Sequence, residues 1–334
     1  MMTRREAAKR LATGTALALG AGARSFAQAT GDQSRQYAPG SRNPASMDGM
    51  ATSRRPGRKN LLAWGDVRNG FQHDSVSHAF SVIERLGYES QLYDTYIRTD
   101  SQPITKHGLY GSDGQAVYGK DLNDFDAIFF FGVREIDLTA QQRADLLSFI
   151  HDDGRGFVGV HTATTAFLSW PEFGDMLGGR FVDHPWKIIT APVIVEDPQF
   201  PATRYLPPVF NLTEEFYQNR GVNRAEVDVV LRLDTRHVNL NQPDIVIKNG
   251  DFPLAWSKHY GKGRVFYSAL GHDRTTWDIP DIQRHYFEAV LWAMGLTGGV
   301  VRPHPEPPPP SAAPVALAPP LPYCGPAWAR PKSS

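Results

Sequence analysis

The chain has 334 residues, of which 41% are apolar, enough for a substantial core, and it carries 35 basic and 35 acidic residues. A net charge of zero leaves no excess cation to neutralise phosphates, which argues against nucleic-acid and polybasic membrane roles. A single cysteine, Cys324, excludes an internal disulfide and excludes thiol chemistry in the core.

The N-terminus reads as an export signal. Thr3-Arg4-Arg5-Glu6-Ala7-Ala8-Lys9 has a twin-arginine pattern, Leu11 to Ala23 is a short apolar stretch, and Ala27-Gln28-Ala29 is a cleavage site. Residues 1–29 are therefore expected to be a signal peptide and the mature protein periplasmic, with no membrane span. Residues 30–59 lack a hydrophobic period and read as a linker. Residues 60–300 are one domain, and 301–334 form a Pro/Ala-rich tail expected to be disordered and to add nothing to the fold.

Within the domain, Asn60–Gly65 predicts the first strand, and Asp74 to Leu86 predicts a helix ended by Gly87. A strand is expected over Tyr88 to Tyr93. A polar, Gly-rich connection then runs from Ile97 to Asp121, a length that is often functional. Asp126–Gly132 is a continuous apolar run, the pattern of a strand buried on both faces of a parallel sheet. A helix from Leu138 to Asp152, a strand over Gly156–Val160 and a helix over Pro171–Leu177 follow. Strands are expected at Ile188 to Glu196 and Val227 to Leu233, a hairpin at Leu254 to Leu270 turning at Tyr260–Gly263, and a terminal helix over Ile282 to Met294. This alternation predicts an α/β domain with a doubly wound, mostly parallel sheet.

In such sheets, ligands bind beyond the carboxyl ends of the strands. His161, in Gly159-Val160-His161-Thr162-Ala163, is one step past a buried strand and is expected to be exposed there, as at a nucleophile elbow. His73 follows the first strand, His184 sits in Asp183-His184-Pro185-Trp186, and His272-Asp273 follow the hairpin's second strand. These histidines could converge on one cleft. Each could equally be a capping or solvated residue, and His259 and His285 read as ordinary surface residues. Thr213-Glu214-Glu215-Phe216-Tyr217 offers carboxylates beside an aromatic; it could orient an imidazole or simply start a helix with Thr213 as N-cap. His73, His161 and His272 with a carboxylate would suit zinc or another divalent ion, although their spacing is no metal signature. No other cofactor is indicated.

The same segments resemble the ThuA-like (trehalose-utilisation) family. They are Phe71-Gln72-His73-Asp74, Gly156 to Thr164, Trp170-Pro171-Glu172-Phe173, Leu177 to Phe181, His184-Pro185-Trp186, Glu214-Glu215-Phe216-Tyr217, and Pro253-Leu254-Ala255-Trp256 with Gly261 to Asp273. The resemblance implies a flavodoxin-like, class I glutamine amidotransferase-like fold in which His161 stands where amidotransferases hold cysteine, so thiolate glutaminase activity is excluded. It implies sugar use, often beside a sugar dehydrogenase of the same pathway that makes keto-sugars. Two functions follow as expectations. One is an enzyme acting on a keto-glycoside or disaccharide by acid/base hydrolysis, elimination or isomerisation, with His161, Glu215 and His272 catalytic and His73, His184, Trp186, Tyr217 and Asp273 on the sugar. The other is a non-catalytic periplasmic carbohydrate-binding protein using the same cleft.

Overall fold

The computed structural model describes residues 55–111, 113–117, 119–307 and 313–317. The expected signal peptide and most of the linker therefore lie outside the described residues, as do Cys324 and the end of the tail. The described residues belong to one unit, Asp48–Ser334. Among them no helix is long and apolar enough to cross a membrane.

One large mixed α/β sheet organises the chain. Its strands are β1 (Lys59–Trp64), β2 (Tyr93–Arg98), β3 (Ala127–Phe130), β4 (Gly156–Val160), β6 (Ile188–Val195), β7 (Val209–Glu215), β9 (Asp228–Leu233), β10 (Pro253–Tyr260), β11 (Gly263–Ser268) and β12 (Val315–Ala316). They lie in the order β12-β7-β6-β9-β10-β11-β4-β3-β1-β2, while β5 (Arg180–Asp183) and β8 (Gln218–Arg220) form a separate pair. From β2 to β11 every pairing is parallel; from β11 to β7 every pairing is antiparallel. The expected parallel sheet is thus the half built by β1 to β4 and β11. That half consists of apolar runs because helices cover both its faces. Phe129 packs on Phe80 of α1 (Ser75–Ser90) and on Tyr286 of α4 (Pro280–Ala293). Its neighbour Phe130 points the other way, to Phe173 of α3 (Pro171–Leu177). Helix α2 (Ala140–His151) carries the chain from β3 to β4 behind a Thr139/Gln142 capping box.

Several expectations need correction. Gly87 does not end α1, which continues to Ser90, and the next strand begins at Tyr93 rather than ending there. Glycine is needed at 87 for contact: a Cβ there would meet the Tyr93 ring at 2.4 Å and its carbonyl oxygen at 2.9 Å. Thr213-Glu214-Glu215 does not start a helix but ends β7. The tail is not all free. The Arg302 amide donates to Asp228 (3.1 Å), its guanidinium to Asp197 (3.3 Å), His304 Nε2 lies 2.8 Å from Glu196, and Val315–Ala316 pair with Phe210–Asn211 of β7. Carboxylates buried at that edge leave the tail's cations little alternative to docking.

The Gly-rich turn of the hairpin falls where expected. Gly261 has φ 57°, and a Cβ there would meet the His151 carbonyl oxygen at 2.5 Å. Gly159 and the buried β4 around it bring the chain to the site described below.

His285, expected on the surface, is fully buried on α4, with Nδ1 2.9 Å from the Ala202 carbonyl oxygen and Nε2 3.1 Å from Ser268 Oγ. Burial pushes its pKa from 6.5 down to about 4, against the Ala202 hydrogen bond. The folded chain therefore keeps the ring neutral while the unfolded chain protonates it. Its share of stability is complete above about pH 6.5 and is lost as pH falls toward 4, amounting to at most about 3 kcal/mol. Urea unfolding between pH 7 and 4 should show this slope, and His285→Gln should flatten it; equal slopes would refute the assignment. A second expected outcome concerns the tail. Ending the chain at Gly299 should cost about 1–3 kcal/mol, because the buried Asp197, Asp228 and Glu196 lose their contacts with Arg302 and His304. A chain ending at Pro307 should keep most of that stability, and equal urea midpoints for all three lengths would count against docking.

Candidate functional site

Four strands deliver the site. Since β7, β11, β4 and β1 run in one direction, their carboxyl ends share one edge of the sheet. His73 follows β1, His161 follows β4, Glu215 ends β7 and His272 follows β11. One ligand atom from each of these four lies within 4.8 Å of the others.

His161 has φ 41°, a left-handed conformation that costs a residue with Cβ about 1–2 kcal/mol. Two contacts hold it there. Tyr267 Oη donates to the His161 carbonyl (2.8 Å), and His161 Nδ1 donates to the Ala269 carbonyl (2.7 Å). The preceding Gly159 lets the turn close, since a Cβ there would lie 2.9 Å from Leu177. Because a carbonyl only accepts, Nδ1 carries the proton and Nε2 of the neutral ring offers a lone pair. That lone pair faces Tyr217 Oη at 2.7 Å, His272 Nδ1 at 3.2 Å and Glu215 Oε2 at 3.4 Å. His272 Nδ1 is also 3.2 Å from Glu215 Oε2.

The electrostatics sort the members. Burial, with His161 and His272 beside it, pushes His73 down to about 4, so it is neutral at pH 7. Its Nδ1 is buried without a hydrogen-bond partner among the described residues. Burial works to raise the Glu215 carboxyl, but His161 and His272 beside it outweigh that and hold the pKa well below the usual carboxylate range. The hydrogen bond to Glu215 raises His272. Burial lifts the Tyr217 phenol well above its ordinary value, so it remains a donor.

Behind the cluster, Glu214 is buried at the β7–β11 junction. Its carboxylate accepts from the amides of Gly271 (2.7 Å), His272 (3.1 Å) and Glu215 (3.0 Å) and from Thr276 Oγ1 (3.2 Å). It thereby sets the backbone that presents both Glu215 and His272.

Residues 60–293 match the ThuA family, described as trehalose utilisation. The chain belongs to the ThuA family. Two solved ThuA-like proteins share the fold. The one from Bacteroides uniformis has a TM-score of 0.58 and 22% identity over 72% of this chain and 93% of its own. The one from Parabacteroides merdae has a TM-score of 0.54 and 16% identity over 71% and 90%. A GMP synthase subunit from Thermoplasma acidophilum matches with a TM-score of 0.41 and 13% identity over 72% and 98%. A comparison with curated proteins gives no match.

In this ThuA chain two cavities share the His73–His272 wall. One, of about 550 Å³, is bounded by Phe71, Arg134, Leu168, Phe181, His184 and Tyr217, with Glu215 on its floor. The other, of about 660 Å³, is lined largely by polar residues, among them Gln72, Asp273, Thr275 and Asp278. His184 Nε2 lies 3.6 Å from Glu215 Oε1, its side chain 41% exposed. Asp273 caps a one-turn helix through Thr275, with its carboxyl held low by that backbone bond. Trp186 does not line either cavity: it is buried against Phe252 and donates to the Asn239 carbonyl. His161 is not exposed as expected but fully buried. It can hold a group at its Nε2 yet cannot itself meet a substrate in the cavity.

Three residues of the site escape a reading of histidines and acid pairs alone: Phe71, Arg134 and Phe181. Arg134 stands just past β3, so the strand-end logic that found His161 would have found it too.

Burial changes what His161→Ala should do. Removing a fully buried imidazole with two hydrogen bonds should cost about 2–4 kcal/mol. A urea-measured loss under about 1 kcal/mol would show the side chain is solvated.

Proposed function

We propose that this ThuA-family protein is a carbohydrate-active enzyme that processes a keto-glycoside by acid/base chemistry beside a divalent metal ion. One observation carries the reading. His73, His161, His272 and Glu215 converge their ligand atoms within 4.8 Å at the edge of a substrate-sized cavity.

Three features fit an ion. The separations of 3.4, 3.2 and 3.2 Å among His161 Nε2, Glu215 Oε2 and His272 Nδ1 match the roughly 3.3–3.4 Å edges of a tetrahedral site with bonds of about 2.0–2.1 Å. His161 donates its other ring N–H to a backbone carbonyl, as metal-bound imidazoles do. The His73 Nδ1 atom, buried and neutral, lacks any other partner among the described residues. Such an ion supplies Lewis acidity to a bound carbonyl oxygen.

The chain's own groups supply the rest. A carbonyl in the sugar acidifies the adjacent C–H bond. His184, which lines the cavity outside the cluster, takes that proton on Nε2, and the Glu215 carboxylate 3.6 Å away stabilises the imidazolium that forms. The C–H electron pair becomes a C=C bond, the glycosidic C–O pair leaves with its oxygen, and the imidazolium returns the proton to that oxygen. His161, being buried, holds rather than transfers. The aromatic faces of Phe71 and Phe181 suit an apolar sugar face. The thiolate route of an amidotransferase is closed, because the strand-end position is His161. The twin-arginine pattern supports export to the periplasm, and a sugar dehydrogenase would supply the keto-sugar.

Purified full-length protein should consume 3-keto disaccharides and leave the unoxidised sugars intact. Chelation should abolish turnover and zinc restore it, while His184→Ala should lower the rate by roughly a hundred- to ten-thousandfold. Zinc at about a hundred times its Kd should add about 2.7 kcal/mol to the chelated protein's stability. Binding of keto-sugar without turnover in the zinc-loaded protein would sink the enzymatic reading, and no zinc-dependent change in stability would sink the metal centre.

A further inference from the structure

Arg134 stands in the loop that leaves β3 after Phe130, at the edge that carries the cluster. Its φ is 59°, a conformation that residues with Cβ rarely adopt and that in proteins concentrates at functional sites. Its side chain is exposed at the mouth of the cavity that holds Glu215 and His184. The guanidinium carbon sits 4.2 Å from the centre of the Phe71 ring. Among the described residues that side chain makes no hydrogen bond or ion pair. The one carboxylate beside it in sequence, Glu135, is committed elsewhere: its oxygens accept from the Ser169 amide (2.9 Å) and hydroxyl (2.8 Å).

A guanidinium held by an aromatic face keeps its in-plane N–H groups available, and that planar fork matches a carboxylate with two parallel hydrogen bonds. A neutral sugar would leave the fork with hydroxyls alone. We propose that Arg134 determines specificity by binding a carboxylate on the sugar, so that the substrate class is a glycoside of a sugar acid. The inference rests on the carbohydrate reading of the same cavity and names which carbohydrate it takes. The backbone strain at 134 then has a purpose, since it aims the side chain over the cavity.

Binding of glucuronate, glucose and glucose 6-phosphate to the full-length protein, by calorimetry or ligand-observed NMR, tests this. The wild type should bind glucuronate more tightly than glucose by about ten- to a hundredfold, the range of a charge-assisted pair. It should bind glucose 6-phosphate no better than glucuronate. Arg134→Gly should bring the glucuronate-to-glucose ratio to about one while leaving Tm unchanged or higher, because glycine accepts the left-handed backbone. Arg134→Lys should recover only part of the ratio. Equal affinity of the wild type for glucose and glucuronate, a ratio that survives in Arg134→Gly, or a preference for the phosphate overturns the inference and leaves the carbohydrate reading standing. Failure of all three sugars to bind overturns both.

Discussion

The site depends first on one buried carboxylate. Glu214, at the end of β7, collects the amides of Gly271, His272 and its own neighbour Glu215. Burial raises its pKa, and those amides offset the cost of keeping acceptors away from water. Three consequences follow from a single group. The loop after β11 is tied to β7 across the sheet edge, His272 is aimed inward, and Glu215 is turned to meet it. Glu215 makes the contacts to His161, His184 and His272, but its position is inherited from its neighbour.

The sheet's two halves divide the labour. The parallel half, buried on both faces, brings β1, β3, β4 and β11 to the edge with little freedom to shift. The antiparallel half allows a strand far along the order, β7, to run in the same direction as β11 and end at the same level. Two changes of direction at β10 and β6 are what let a carboxylate reach histidines carried by parallel strands. Backbone strain at His161 and Arg134 lies at that same edge, where the surrounding contacts hold it.

Histidine chemistry here is governed by exposure. His161 is sealed beneath Tyr217 and the Ala269 carbonyl, His73 and His272 form a wall between two cavities, and His184 alone stands beyond the cluster facing the larger apolar surface. Identical side chains thus differ in what they can reach without any change of residue type. His285, buried on α4 against two neutral partners, is a reminder that a histidine in a helix pattern can be structural.

The order of strands and helices in the parallel half could be read from apolar runs and helical spacing, because strands buried on both faces have little alternative composition. The strand-end placement of His73, His161 and His272 was legible for the same reason, and the ordered motifs pointed to the ThuA family. The sequence alone also settled that no cysteine could serve at the elbow. Other features depend on contacts between residues distant in the chain, which leave no local period. Gly87 looked like a helix end because its real partner, Tyr93, lies on a strand it cannot announce. Trp186 looked like a sugar platform, yet Phe252 and Asn239 claim it for the core. The docking of Arg302 and His304 follows from carboxylates just past β6 and on β9 rather than from the tail's own composition. Whether His161 faces solvent or lies buried, and which carboxylate of Glu214-Glu215 meets the histidines, was decided only by tertiary structure, since both depend on how the chain leaving β7 meets the chain leaving β11 at one edge.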